Sequence, residues 1–238
     1  MSYADYTCEV LSRYQGGSHS YRTLLTNQLT DVSEALHLGC GRDLGGMLAL
    51  FPKSIRVVGV DPDATALQEY PGEAYEADGA AMPFADESFD LVFSEYVLEH
   101  LAQPQAVFAE VARVLRPGGR FIALAPNFWS YKSLAAWLTP HRLHEIAVKT
   151  LRRDTARETK DVYPTVFQAN SRQALQRLAQ ASGLQIESLR YIDNGPTWFQ
   201  RMPGLFEIGR LYHTLLGWTV LQGLRCNIIS VLRKPTTR

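Results

Sequence analysis

Leu36-His-Leu-Gly-Cys-Gly-Arg-Asp-Leu-Gly45 runs from a short apolar segment into a turn built on Gly39 and Gly41, with Cys40 between them. Glycines at such a turn let the backbone come close to a ligand. A helix starting after them would present its free N–H groups to that ligand. The same turn also serves simply to close a tight strand-to-helix connection. Further on, the chain reads Val57-Val-Gly-Val-Asp-Pro62, a second apolar strand ending in Asp61. A carboxylate there can accept both hydroxyls of a ribose lying over the glycine turn, or can cap the helix that follows Pro62.

Outward from these two strands the pattern repeats. Weaker strand character surrounds Ala74–Ala77, then Phe89–Phe93 and Gly119–Ala125 read as fourth and fifth strands. Apolar strands separated by helix-length intervals predict βαβ units and a parallel sheet covered on both faces. Pro104 opens a helix whose stripe is Val107, Phe108, Val111, Val114 and Leu115, stopped by Arg116-Pro-Gly-Gly119. A second helix is expected from Ser171, as N-cap, to Gly183. Two more strands, Leu184–Tyr191 and Cys226–Leu232, flank an apolar, mostly helical insertion over 203–224. The expectation is a Rossmann-like doubly wound α/β sheet of seven strands, mostly parallel.

The chain has 238 residues, with 24 Lys+Arg against 24 Asp+Glu and 46% hydrophobic residues. That length builds one large domain with a sizeable core, and the apolar fraction excludes a disordered chain. Balanced charge argues against a nucleic-acid binder working through a basic field. Cys8, Cys40 and Cys226 are far apart, which offers neither a disulfide framework nor a metal-ligand pair. The opening MSYADYTCEVLSRYQGG lacks an apolar core behind a basic start, so no secretory leader and a cytoplasmic setting are expected. The parts expected are an N-terminal helical cap (1–33), a core (34–127), an excursion (128–170) and a C-terminal part (171–238) with the insertion at 196–224.

The order of the remaining motifs is specific: Asp78-Gly79, Met82-Pro-Phe84, Glu87 to Phe93, Leu98-Glu-His-Leu101, and Leu115-Arg-Pro-Gly-Gly-Arg-Phe121. Over 34–127 the chain resembles the class I S-adenosylmethionine-dependent methyltransferases, in particular the group that includes the ubiquinone/menaquinone C-methyltransferases. The resemblance implies that the last strand is reversed and that S-adenosylmethionine is the co-substrate. It implies that Gly39, Cys40 and Gly41 form the glycine motif against the methionine part, and that Asp61 takes the ribose hydroxyls. Pro62 would lie beside the adenine, Asp78 would accept its amino group, and Gly79 and Ala80 would supply backbone around the ring. Ser94, Glu95 and Tyr96 would face the donor's amino group and sulfonium. His37 stands where many members carry an acidic residue, and Asp43 where they carry a third glycine. Asp43, Glu95 or a backbone carbonyl is then left to hold the ammonium, with Arg42 or Arg22 for the carboxylate.

A sulfonium already activates its methyl group, so aligning an acceptor in line with the C–S bond supplies most of the catalysis. Transfer by direct displacement without metal is expected. His100, His141 and His144 are the candidate bases for an acceptor that must lose a proton, although a histidine in an apolar helix also serves structure alone. The acceptor is expected to be a small molecule, apolar or aromatic, or a polar metabolite such as a glycan. The insertion 203–224 either completes the core, walls the acceptor pocket, or touches a membrane surface or second subunit; its uncharged run is too short to span a bilayer. Two rival readings are a dinucleotide-dependent oxidoreductase or epimerase, which has no place for Asp78-Gly79 and a reversed last strand, and a non-catalytic donor-binding scaffold.

Overall fold

The computed structural model describes residues 2–14, 16–138, 163–197 and 203–236. Seven strands form one sheet: β1 (Glu34–Leu38), β2 (Arg56–Asp61), β3 (Glu73–Glu76), β4 (Phe89–Glu95), β5 (Leu115–Pro126), β6 (Gln185–Ile192) and β7 (Asn227–Arg233). Their order across the sheet is β3-β2-β1-β4-β5-β7-β6. Strands β1 to β5 pair in parallel, whereas β7 runs antiparallel between β5 and β6. The doubly wound sheet with a reversed last strand is the architecture expected from the sequence. The order reverses between β1 and β4, and the C-terminal ends of the strands there open the crevice in which such sheets bind ligands.

Alternation along the strands divides the core into two faces. Leu36, Leu38, Val58, Val60, Val92 and Phe121 point one way, onto α4 (Pro104–Val114) and α6 (Arg172–Ser182) through Val107, Phe108, Val111, Leu175 and Leu178. Ala35, Val57, Leu91, Phe93, Ile122 and Leu124 point the other way. There they meet Tyr21 and Leu25 of α2 (Gly17–Thr26), and Tyr21 donates its hydroxyl to the Ile122 carbonyl at 3.1 Å. Ahead of α2 lies α1 (Tyr3–Ser12), so the N-terminal part is helical as anticipated. Helix α6 has the expected ends: Ser171 accepts from the Ala174 N–H, and Gly183 turns left-handed at φ 75°.

Two local expectations are corrected. The glycine turn leads into no α-helix, only into a 3₁₀ turn at Leu48–Leu50. The short helix α3 (Ala64–Leu67) is capped by Asp63, not Asp61: Asp63 Oδ1 accepts from Thr65 and Ala66. The insertion folds as α7 (Pro203–Leu215) followed by a 3₁₀ turn over Thr219–Leu224, and it fills the core with one narrow face alone. Phe206, His213 and Leu216 are buried, while Ile208, Leu211 and Trp218 are 60% or more exposed. Among the described residues no helix is long and apolar enough to cross a membrane. Helix α5 (Tyr131–Leu138) follows the end of β5, ahead of α6.

The entry to the sheet is fastened by one carboxylate. Asp90 Oδ2 accepts from the Ser33 N–H, the Ser33 hydroxyl and the Glu34 N–H at 2.8–3.0 Å, and Oδ1 accepts from Arg116 at 2.7 Å. Burial opposes the charge, yet Arg116 and the Ser33 and Glu34 donors outweigh it and hold the carboxyl at about 2. A carboxyl with a depressed folded pKa stabilises the fold above its unfolded value of about 3.9, and that contribution disappears as pH falls towards 2. Acid titration of stability should therefore show the wild type losing roughly 2 kcal/mol more than Asp90→Asn between pH 4 and pH 2. Parallel curves for the two proteins would refute this.

Candidate functional site

The glycine turn is tied to β2 along its whole length. Gly39 and Cys40 donate to the Val60 carbonyl at 2.8 and 3.2 Å, and Gly41 donates to Asp61 Oδ2 at 2.9 Å. Gly39 has φ +67°, and a Cβ on it would lie 2.5 Å from the Val97 side chain, so no other residue fits there. Asp61 Oδ1 accepts from the Asp63 N–H at 2.9 Å. Each carboxylate oxygen keeps a second lone-pair direction for another donor. Burial raises the Asp61 carboxyl above the ordinary range, against the two amides that lower it.

Asp43 explains why no helix follows the turn. It sits at φ +52°, a conformation that Asp tolerates, and its carboxylate accepts from Met47 at 2.7 Å and Leu48 at 3.0 Å. The amides that a helix N-terminus would have turned toward a ligand are thus satisfied within the loop. Asp43 is engaged there, and Arg42 stands 3.5 Å from Glu69. Arg22 donates to the Gly45 carbonyl. A Cβ on Gly45 would lie 3.1 Å from the Arg22 guanidinium and 3.2 Å from a Glu95 carboxylate oxygen. One cation and one anion therefore flank the turn at the end of β4.

His37 and Cys40 turn their side chains beneath this floor. His37 stacks on Phe93 at 4.5 Å between ring centres, and its Nδ1 has no partner among the described residues. Burial depresses its pKa to about 3, so it is neutral. The Cys40 sulfur would be 2.6 Å from a Cβ on Gly59, and burial pushes its thiol up to about 12. Cys40 thus meets the crevice through backbone. Along the β3 side, exposed Asp78 holds the Ala80 N–H on Oδ1 at 2.9 Å. Gly79 is wedged against Leu38 and Val107, and Pro62 follows Asp61. At the end of β4, the Ser94 hydroxyl is buried and unpartnered among the described residues. Tyr96 adopts φ +57° and donates its N–H to the Leu124 carbonyl at 2.8 Å. The residues singled out in the sequence thus sit at or just after the C-terminal ends of β1 to β4.

Of the three candidate bases, His100 lies in the 3₁₀ turn Leu98–His100, its Nδ1 2.8 Å from the Pro164 carbonyl. His141 and His144 lie outside the described residues. Another histidine stands farther along the same edge of the sheet. His213 of α7 is buried, with Nδ1 2.6 Å from Asp193 Oδ2 just beyond β6. A carboxylate only accepts, so Nδ1 carries a proton, and in the neutral ring Nε2 has the free lone pair. That Nε2 is buried without a partner among the described residues, in a cage of Tyr14, Tyr131 and Tyr212 rings 5.3–5.9 Å away. The only sequence signal was a histidine within a long uncharged run. Among the described residues no three His, Cys, Asp or Glu side chains are grouped to hold a metal ion.

Residues 36–123 match the model of a methyltransferase domain. An uncharacterized methyltransferase of Mycolicibacterium vanbaalenii is 31% identical over 189 residues, which cover 69% of this chain and 70% of that protein. Another from Mycobacterium sp. (strain JLS) is 27% identical over the same shares. Among solved structures, geranyl diphosphate C-methyltransferase from Streptomyces coelicolor, with Mg²⁺, geranyl diphosphate and S-adenosyl-L-homocysteine, matches 90% of this chain and 77% of its own (TM-score 0.59, 14% identity). The [4+2]-cyclase SpnF matches 92% and 82% (TM-score 0.57, 14% identity), a likeness of fold alone. The chain belongs to the S-adenosylmethionine-dependent methyltransferases, with S-adenosylmethionine as co-substrate. The matches do not single out the ubiquinone/menaquinone group.

The Asp61 position yields a direct test. Removing a charged acceptor from a neutral diol costs about 1.5–3 kcal/mol. Asp61→Ala should weaken S-adenosylhomocysteine binding tenfold or more by calorimetry while the far-ultraviolet spectrum stays unchanged; equal affinity would refute the assignment.

Proposed function

We propose that the chain methylates a small-molecule acceptor by direct displacement, with the donor lying across the ends of β1 to β4 and the acceptor entering from the β5-β7-β6 side. The observation that carries this reading is the split character of the sheet's C-terminal edge. On one side stand Asp61 and Asp78, acceptors suited to a ribose and an adenine amino group. Glu95 and Arg22 flank the turn with the charges that an ammonium and a carboxylate need. On the other side stand three tyrosines and an oriented histidine.

The donor's sulfonium supplies an activated methyl group with a neutral thioether as leaving group. The protein's part is to hold the donor extended, to align the acceptor and to keep water out. Asp61 and Asp78 fix the adenosine, Glu95 and Arg22 hold the amino-acid end, and the Tyr96 backbone bounds the path of the methyl group. His213 Nε2 takes the acceptor's proton as the new bond forms, while Asp193 keeps the proton of Nδ1 in place and stabilises the resulting imidazolium. This role suits a hydroxyl or other weakly acidic acceptor. The aromatic rings around His213 favour an apolar or aromatic body on that acceptor.

Metal-free transfer is part of the proposal and rests on the intrinsic reactivity of the sulfonium. The test is to incubate the protein with methyl-labelled S-adenosylmethionine and fractionated small-molecule extracts, following label transfer. Transfer should persist in EDTA. It should fall about 10²-fold or more in His213→Gln, with S-adenosylhomocysteine affinity unchanged. Loss of transfer in EDTA with recovery on adding Mg²⁺ would contradict the metal-free step. Full transfer by His213→Gln would remove the histidine from the mechanism.

A further inference from the structure

Residues 163–170 cross the same end of the sheet as the donor crevice and are pinned at three places. At the β2 end the Tyr163 hydroxyl donates to Asp63 Oδ2 at 2.7 Å. In the middle, the Val166 and Phe167 N–H groups donate to the Glu99 carbonyl at 2.8 and 3.2 Å, and the Pro164 carbonyl meets His100 Nδ1. At the β5 end, buried Asn170 donates its side-chain amide to the Pro126 carbonyl at 2.9 Å, and its own carbonyl accepts from Phe128 at 2.8 Å. The anchors therefore sit beyond β2, after β4 and at the exit of β5, and β1 with its glycine turn lies between the first two.

The three anchors differ in kind. The middle one is largely backbone and the β5 one is buried. The β2 one is a side-chain bond from a tyrosine that is 41% exposed and whose ring meets that of His100 at 5.9 Å. Its partner Asp63 is two residues from Asp61, to which it donates its N–H, and its other oxygen caps α3. Only protein groups make the Tyr163–Asp63 bond, so its formation needs no donor.

We propose that residues 163–170 are a strap over the adenosine half of the donor crevice and that the Tyr163–Asp63 hydrogen bond is the latch that must open for donor and product to exchange. Tyr163 is then a positioning residue acting through Asp63. His100, in the turn that follows β4, serves the strap through Pro164. The inference rests on the placement of adenosine between Asp61 and Asp78.

A latch that forms with and without ligand has a distinctive kinetic signature: breaking it speeds entry and exit alike and leaves affinity nearly constant. The rates of association and dissociation of S-adenosylhomocysteine are to be measured by surface plasmon resonance on the tethered full chain. For Tyr163→Phe both rates should rise about fivefold or more, as expected for a partly exposed hydrogen bond to a carboxylate, with the dissociation constant within twofold. Asp63→Asn, which keeps its N–H and a capping oxygen, should act in the same direction, and the double variant should add little. Unchanged rates in both variants would overturn the latch. So would a faster dissociation at constant association, which would mark Tyr163 as a contact wall instead. A loss of binding confined to Asp61→Ala supports the crevice on which the strap rests. Unaltered affinity in Asp61→Ala would instead strike at the donor's placement, separately from the latch rates.

Discussion

The hydrogen bond from Gly41 to Asp61 joins the turn after β1 to the end of β2, and the rest of the site is arranged around it. It fixes the buried carboxylate's orientation on one side and the backbone path of the glycine turn on the other. The Asp63 amide then binds the second oxygen, so the carboxylate enters any encounter with a ligand already aligned. Preorganisation of this kind lowers the ordering cost of binding. The crevice needs little further support because its floor is core: Leu38, Val60, Val92 and Phe93 are buried under it.

The two halves of the sheet's upper edge follow different constraints. The β1 to β4 half relies on backbone geometry and on carboxylates at strand ends. The β5-β7-β6 half is made by elements distant in sequence: Tyr14 after α1, Tyr131 of α5, Asp193 beyond β6 and His213 of α7 meet around one imidazole. Fold alone does not set chemistry in this architecture, since a named cyclase and a named C-methyltransferase share it with this chain. Under the proposed function, this separation lets one half bind a common donor while the other varies with the acceptor.

Legibility in the sequence follows the same division. Strands were readable because buried parallel strands are continuous apolar runs, and Asp61 because it interrupts one at its end. The strand expected at Gly119–Ala125 begins earlier, at Leu115, which pairs with Phe89 of β4 ahead of a register shift, so the run expected only to stop the helix lies within the strand. The helix expected after the glycine turn was lost to Asp43, whose side chain captures the amides of Met47 and Leu48; propensity carries no sign of such a capture. The contacts of His213 and Tyr163 left no signal in the sequence. The partner of the first lies 20 residues away and that of the second 100. The α7 face showed only excess hydrophobicity, which does not distinguish core from surface.

A crystal structure of the full chain with S-adenosylhomocysteine should show both ribose hydroxyls within hydrogen-bond distance of Asp61, the adenine between Pro62 and Ala80 with its amino group on Asp78, and the Gly41–Asp61 bond intact. A ribose bound elsewhere, or an Asp61 side chain turned away from Gly41 to reach it, would overturn this placement of the donor.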